Sequence, residues 1–241
     1  MLGGSCATFD AHAEKPGALN LPDLVIKAII FDLDSCLSAA DEPGRQLFQP
    51  AFDAIIRANH GSHAEAVLQR AFEDMWRLPY DFVARKYSFT PEMLAAGWNE
   101  LLQMEVATPM SGYGDLSALN ELRVELFLVT SGFRRLQESK IRALGIGPLF
   151  SAIYVDAIDE PDHRGKERLI EDIVQSSNFE PREVLIVGDN PDSELAVGRR
   201  LAIPTAQTLR PGVPYSATAT HHIRSLHGLK AILQLDETGY G

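Results

Sequence analysis

Residues 25–37 read V-I-K-A-I-I-F-D-L-D-S-C-L, a β-branched apolar run that breaks into two carboxylates one residue apart. A short run of this kind is expected of a strand buried on both faces of a parallel sheet. Along an extended segment side chains repeat with period two, so Asp32 and Asp34 project to the same side. Facing carboxylates repel, and one stays protonated unless a cation stabilises both. A divalent cation does so and leaves one carboxylate free for nucleophilic or general acid work. An Asp-x-Asp after a strand also serves as a turn or capping element, so this stretch by itself leaves both readings open.

Outward from it, similar runs recur: V-E-L-F-L-V-T at 124–130, A-I-Y-V at 152–155, E-V-L-I-V at 183–187 and I-P-T-A-Q-T-L at 203–209. Helix-like segments around 133–144, 165–176 and 192–201 separate them. That alternation predicts an α/β fold, a doubly wound (Rossmann-like) parallel sheet with helices on both faces. Ligands of such sheets bind beyond the carboxyl ends of the strands, where strand order switches.

Residues 45–110 break the rhythm, with helical periodicity, no convincing strand, and aromatics such as Phe52, Phe72, Trp76, Tyr80, Phe82 and Trp98. Pro50, Pro79 and Pro91 suit helix starts, and Pro109, Gly112 and Gly114 mark the return to the core. The expected organisation is a flexible leader over 1–22, a core from 23–40 and 112–241, and a small inserted α-helical domain over 41–111. The tail after residue 220, with H-H-I and L-K-A-I-L, is expected to pack on the sheet.

The composition, 45% hydrophobic and 23% charged over 241 residues, is that of a folded chain. A net charge of -11 disfavours a nucleic-acid surface, yet a metal and a few placed cations can still bind a compact anion in a cleft. No run approaches the roughly 18 apolar residues of a membrane span, and the opening stretch lacks the basic and apolar regions of a signal peptide. Cys6 and Cys36 suggest no disulfide framework, so a cytoplasmic location and no membrane partner are expected.

Three further places can carry chemistry. Thr130-Ser131-Gly132 ends a strand, where hydroxyls and backbone N–H groups hold phosphate oxygens or, alternatively, cap a helix. Lys166 follows Gly165 at a helix start, where the backbone is already electropositive; it suits a bound anion or is an ordinary solvated lysine. In L-I-V-G-D-N-P-D-S-E-L at 185–195, Asp189 is placed as a metal ligand, Glu194 as its supporting carboxylate and Asp192 as a helix cap. The histidines show no metal-ligand spacing, and Cys36, without a neighbouring cation, reads as packing.

Taken together, D-L-D-S-C-L, L-V-T-S-G, G-K-E and V-G-D-N-P-D-S-E-L resemble the four ordered motifs of the haloacid dehalogenase (HAD) superfamily, over roughly residues 25–210. The inserted segment lies where that family carries a helical C1-type cap. Cys36 and Glu194 stand where Thr or Val and Asp are more usual. The resemblance implies a phosphatase whose Asp32 forms an aspartyl-phosphate while Asp34 acts as acid and then base. It implies phosphoryl contacts from Thr130, Ser131, Gly132 and Lys166, and Mg²⁺ held by Asp32, Asp189 and the main-chain carbonyl of Asp34 with Glu194 in support. The substrate expected is a small phosphorylated metabolite, and the chain a monomer or homodimer. A phosphomutase using the same site and a non-catalytic metabolite-binding member remain open, whereas Asp34 argues against a dehalogenase, whose halide leaves without a proton. Arg45, Trp76, Arg85, Lys86 and Tyr87 are available to contact substrate without being assigned to it.

Overall fold

The computed structural model describes residues 25–161 and 163–237; the leader expected over 1–22, with Cys6, lies outside them. Strand β1, Ala28–Phe31, is buried at all four positions. It runs parallel to β2, Glu125–Gly132, on one side and β4, Val184–Gly188, on the other. With β3, Ala152–Ala157, β5, Thr205–Thr208, and β6, His221–Ile223, the sheet is parallel throughout in the order β3-β2-β1-β4-β5-β6.

Period two explains why the strands read as unbroken apolar runs. Ile29, Phe31, Leu128 and Val187 enter one core with Ile141 of helix α5, Arg134–Leu144, and Leu229 and Ile232 of α8, Leu229–Glu237. Their neighbours Ala28, Ile30, Val129 and Ile186 enter the opposite core with Ile170 and Ile173 of α6, Gly165–Ser176, and Val197 of α7, Glu194–Leu201. Each such Ile or Phe contributes about 1.5–3 kcal/mol by leaving water. Strand order reverses at β1, so its carboxyl end and that of β4 flank the crevice where ligands of such sheets bind. The expected strand at 203–209 shortens to Thr205–Thr208, and the H-H-I stretch, not foreseen as a strand, pairs with β5 as β6.

Between β1 and β2 lie four helices: α1, Gln49–Ala58, α2, Glu65–Asp74, α3, Tyr80–Lys86, and α4, Pro91–Gln103. Pro50 and Pro91 occupy the first turns of α1 and α4, and the Thr90 hydroxyl caps α4 by accepting from the Met93 amide at 3.2 Å. Phe48, Ile55, Leu68, Met75, Tyr80, Met93 and Leu101 form their common core, which continues into Phe133, Leu136 and Ile158 of the α/β unit. Trp98 meets Phe133 edge-on, ring centroids 4.9 Å apart. Among the described residues no helix is long and apolar enough to cross a membrane.

Gly97 of α4 faces Tyr80, whose hydroxyl donates to the Met93 carbonyl at 2.9 Å; a Cβ there would collide with that phenol. Gly114 has no heavy atom within 4 Å of such a Cβ. Gly97→Ala is therefore expected to lower unfolding free energy by about 1–3 kcal/mol, the scale of overpacking, in a urea titration. Gly114→Ala should change it by no more than about 1 kcal/mol, with either sign accepted.

Candidate active site

Where β1 ends, the Asp32 amide donates to the Val187 carbonyl of β4 at 2.9 Å, which ties the aspartate to the centre of the sheet. The chain then turns sharply. The amides of Cys36 and Leu37 return to the Leu33 carbonyl, and Ser35 adopts φ 57°. Arg210 clamps this turn from behind, donating to the Cys36 carbonyl and, at 2.8 and 3.0 Å, to both oxygens of buried Asp115. Cys36 itself is fully buried and its thiol is pushed well above its ordinary range, first by burial and then by Asp32, so packing is its role.

Strand β4 delivers Gly188 and Asp189. A Cβ at Gly188 would strike Glu194, which folds back so that its Oε1 accepts from the Asn190 amide at 2.7 Å. From β5, Thr208 Oγ1 and Gln207 Nε2 donate to the carbonyls of Gly188 and Asp189 at 3.2 and 3.0 Å. Asp192 does not cap α7 with its side chain as expected; Ser193 holds the cap position, and the Asp192 amide donates to Asn190 Oδ1.

At the opening of α6, Asp156 of β3 accepts from the Gly165 amide at 2.8 Å, from Ser131 Oγ at 3.1 Å and contacts His163 Nδ1 at 3.2 Å. That fixes the start of the helix and aims Lys166, whose Nζ lies 2.8 Å from Asp32 Oδ1 and 3.2 Å from Glu194 Oε2. The Ser131 hydroxyl thus donates to Asp156 Oδ2.

All eight residues singled out from sequence, Asp32, Asp34, Thr130, Ser131, Gly132, Lys166, Asp189 and Glu194, line one cavity of about 360 Å³ between the sheet and the inserted helices. Carboxylate oxygens of Asp32, Asp189 and Glu194 lie within 4.8 Å of one another. Burial, only partly offset by Lys166, pushes Asp32 up to about 7. Burial followed by repulsion from Glu194 and Asp32 pushes Asp189 up to about 8. Burial opposes the charge of Lys166, yet the two acids outweigh it and the ammonium is held above its usual range. Three acids against one ammonium leave an excess of negative charge, and an all-oxygen donor set of this kind suits a hard divalent cation.

Four neighbours escaped the sequence reading. Lys140 Nζ contacts both oxygens of Asp34, at 2.8 and 2.9 Å, and Gln137 Nε2 lies 3.3 Å from the second. Both are polar residues on the buried face of α5, a mismatch with Leu136 and Ile141 that is visible in the pattern of the helix. Asp156, at a strand's carboxyl end, sits where polar residues were to be sought. Arg77 carries no such signal: it comes from the inserted helices and reaches Asp189 Oδ2 at 3.3 Å and the Gly212 carbonyl at 3.2 Å. Of the inserted residues considered for substrate, Trp76 and Arg85 line the cavity; Arg45, Lys86 and Tyr87 do not.

The profile of a hydrolase family described as haloacid dehalogenase-like hydrolase matches residues 26–201. A curated relative, the putative HAD-hydrolase YfnB of Bacillus subtilis, is 27% identical over 135 residues, which are 54% of this chain and 56% of that protein, so the match spans little more than half the relative's length. The YfnB crystal structure, described as bound to magnesium with interdomain movement, superposes with a TM-score of 0.56 at 17% identity, covering 87% of this chain and 99% of that one. A HAD phosphatase from Thermococcus onnurineus gives 0.59 at 21% identity over 86% and 97% of the two chains. A predicted phosphoglycolate phosphatase from Haemophilus somnus gives 0.55 at 15% over 86% and 97%. These structures share the fold.

Because the folded protein binds protons at Asp32 and Asp189 more tightly than the unfolded chain, that stabilisation is complete below about pH 4 and is lost as pH rises through about 7 and 8. A divalent cation competes with those protons. The rise in melting temperature on adding Mg²⁺ is therefore expected to be larger at pH 8 than at pH 5, approaching about 2.7 kcal/mol of stabilisation at a hundredfold excess over Kd. Asp189→Asn should reduce the pH-dependent part to the contribution of Asp32, as read by scanning fluorimetry.

Proposed function

The chain belongs to the haloacid dehalogenase-like hydrolases, and from that premise we propose that it hydrolyses a small phosphate monoester through a phosphorylated Asp32. The observation that carries this reading is the pairing of two carboxylates with different surroundings in one cavity. Asp32 is buried against Lys166 and the other acids, while Asp34, two residues on, is held apart from that cluster by Lys140. One is set up to attack and the other to exchange a proton.

In the first half-reaction an Asp32 oxygen forms a bond to phosphorus and the ester P–O bond breaks. The departing oxygen takes a proton from Asp34. Lys166 offsets negative charge on Asp32 and on the transferring group, and the Thr130 hydroxyl with the backbone of Ser131 and Gly132 orients the phosphoryl oxygens. In the second half-reaction Asp34 takes a proton from water, which attacks phosphorus and releases inorganic phosphate and the free Asp32 carboxylate. Mg²⁺ held by Asp32, Asp189 and the Asp34 carbonyl, with Glu194 in support, would supply further charge neutralisation at the phosphoryl oxygens. The description of YfnB as magnesium-bound supports that choice of ion.

The inserted helices act in this reading as a cap. Phe48, Met75, Trp76, Leu78 and Phe82 give the cavity an apolar roof that excludes bulk water from the leaving group and strengthens every charge below it. A small phosphorylated metabolite fits a cavity of about 360 Å³. The second carboxyl group is also what separates this chemistry from dehalogenation, which has no leaving oxygen to protonate.

Phosphate release from a panel of small phosphomonoesters, with Mg²⁺ and with chelator, tests the proposal. Turnover should require the metal. Asp32→Asn should lower kcat by about four orders of magnitude or more, as loss of a covalent nucleophile does, and Asp34→Asn by about 10²–10⁴. Equal release by the Asp32 variant, or release indifferent to chelator, refutes the mechanism.

A further inference from the structure

Helix α5 presents its inner face to the turn after β1, and that face is not uniformly apolar. Between Leu136 and Ile141 it buries Gln137 and Lys140, three residues apart and therefore on adjacent turns of one side. The Lys140 side chain is only 5% exposed, and Asp34 is its acidic partner, both carboxylate oxygens within 2.9 Å of Nζ. A buried ammonium is expensive to desolvate, and a hydrophobic residue of similar length would bind the helix to the sheet at least as well. Helix packing therefore gives no reason for a lysine here; the carboxylate it holds does.

Asp34 needs holding. It stands on the turn in which Ser35 has φ 57°, its side chain is 23% exposed, and among the described residues no backbone amide donates to its carboxylate. A general acid works only within hydrogen-bond reach of the atom it protonates, about 2.6–3.2 Å. Lys140 bridges both oxygens, and Gln137 Nε2, itself oriented by the Ser131 carbonyl at 3.0 Å, approaches the second. That pair of acceptors, the Ser131 carbonyl and Asp34 Oδ2, also settles the orientation of the amide, because the reverse would set Oε1 against both. Gln137 Oε1 is then a buried acceptor without a partner among the described residues, on the wall of the reaction cavity. A water or substrate hydroxyl at Asp34 completes it.

We propose that Lys140 and Gln137 are positioning residues that hold the Asp34 carboxyl group in the place from which it serves the leaving oxygen and the attacking water. The inference rests on the phosphatase reading. It assigns the two residues no contact with the phosphoryl group.

A tie that merely joined α5 to β1 would affect every ester alike, whereas a misplaced acid matters most when the leaving oxygen needs a proton. The test compares kcat/KM for an alkyl phosphate, whose alkoxide must be protonated, with p-nitrophenyl phosphate, whose phenolate departs without help. Lys140→Met is expected to lower kcat/KM on the alkyl ester by about 10²-fold or more and on the aryl ester by less than about tenfold, the difference being the share of general acid catalysis. Gln137→Met, an uncharged and nearly isosteric change, should shift the ratio in the same direction by a smaller factor. It carries the test alone if melting curves show that Lys140→Met does not fold. Equal losses on both esters in a folded variant overturn the inference and leave the phosphatase reading intact. Failure of the wild-type chain to release phosphate from either ester overturns that reading, and this inference with it.

Discussion

Three carboxylates and one ammonium crowd the space beyond the carboxyl ends of β1 and β4, and much of the surrounding structure exists to keep them there. Like charges at such spacing repel, and burial removes the water that would screen them. The arrangement persists because its supports are over-determined. Glu194 is pinned by the Asn190 amide, the Asp189 carbonyl by Gln207, and the start of α6 by Asp156. Gly188 yields its side-chain volume to Glu194. Buried like charges of this kind cost stability, a common trade where a fold carries a functional site.

The inserted helices complete that site without disturbing the sheet. They lie between β1 and β2 along the chain, and their core fuses with Phe133, Leu136 and Ile158. Arg77 is their charged contact with the acidic cluster: it meets Asp189 and also the carbonyl of Gly212, in the loop between β5 and β6. With the Arg77 side chain 43% exposed, solvent screens the pair and the contact with Asp189 contributes little.

Much of this was legible in the residues themselves. Strands buried on both faces announce themselves as apolar runs, which is why the β1, β2 and β4 segments are recognisable, and α6 covers the same 165–176 that periodicity indicates. The carboxylates at strand ends were findable because position after a strand is a local property. What escaped was contact between segments distant in sequence. Lys140 meets Asp34 only because α5 packs beside the turn after β1, and nothing within R-R-L-Q-E-S-K-I states that. Arg77 is hidden for the same reason. Strand β6 was missed because three residues, two of them histidine, carry no periodicity to read.

Among the described residues strand β1 is the first element of the sheet along the chain, and it lies inside the sheet, where Ala28 is aligned with Glu125 on one side and Val184 on the other. Its pairings therefore close loops of about a hundred and about a hundred and fifty residues. Loop length adds little to the equilibrium cost, about 0.6 kcal/mol per doubling, but it bears heavily on the rate at which the contacts form. During synthesis the strand that ends at Asp32 waits, apolar, with one edge unpaired until β2 has left the ribosome and the other until Gly188 has done so. The local helices over Gln49–Gln103 need no such delay, since α1 and α4 pack on each other. Closure of the crevice beyond β1 and β4 is thus a late event in assembly of the chain, and the interval before it is when aggregation competes most strongly with folding.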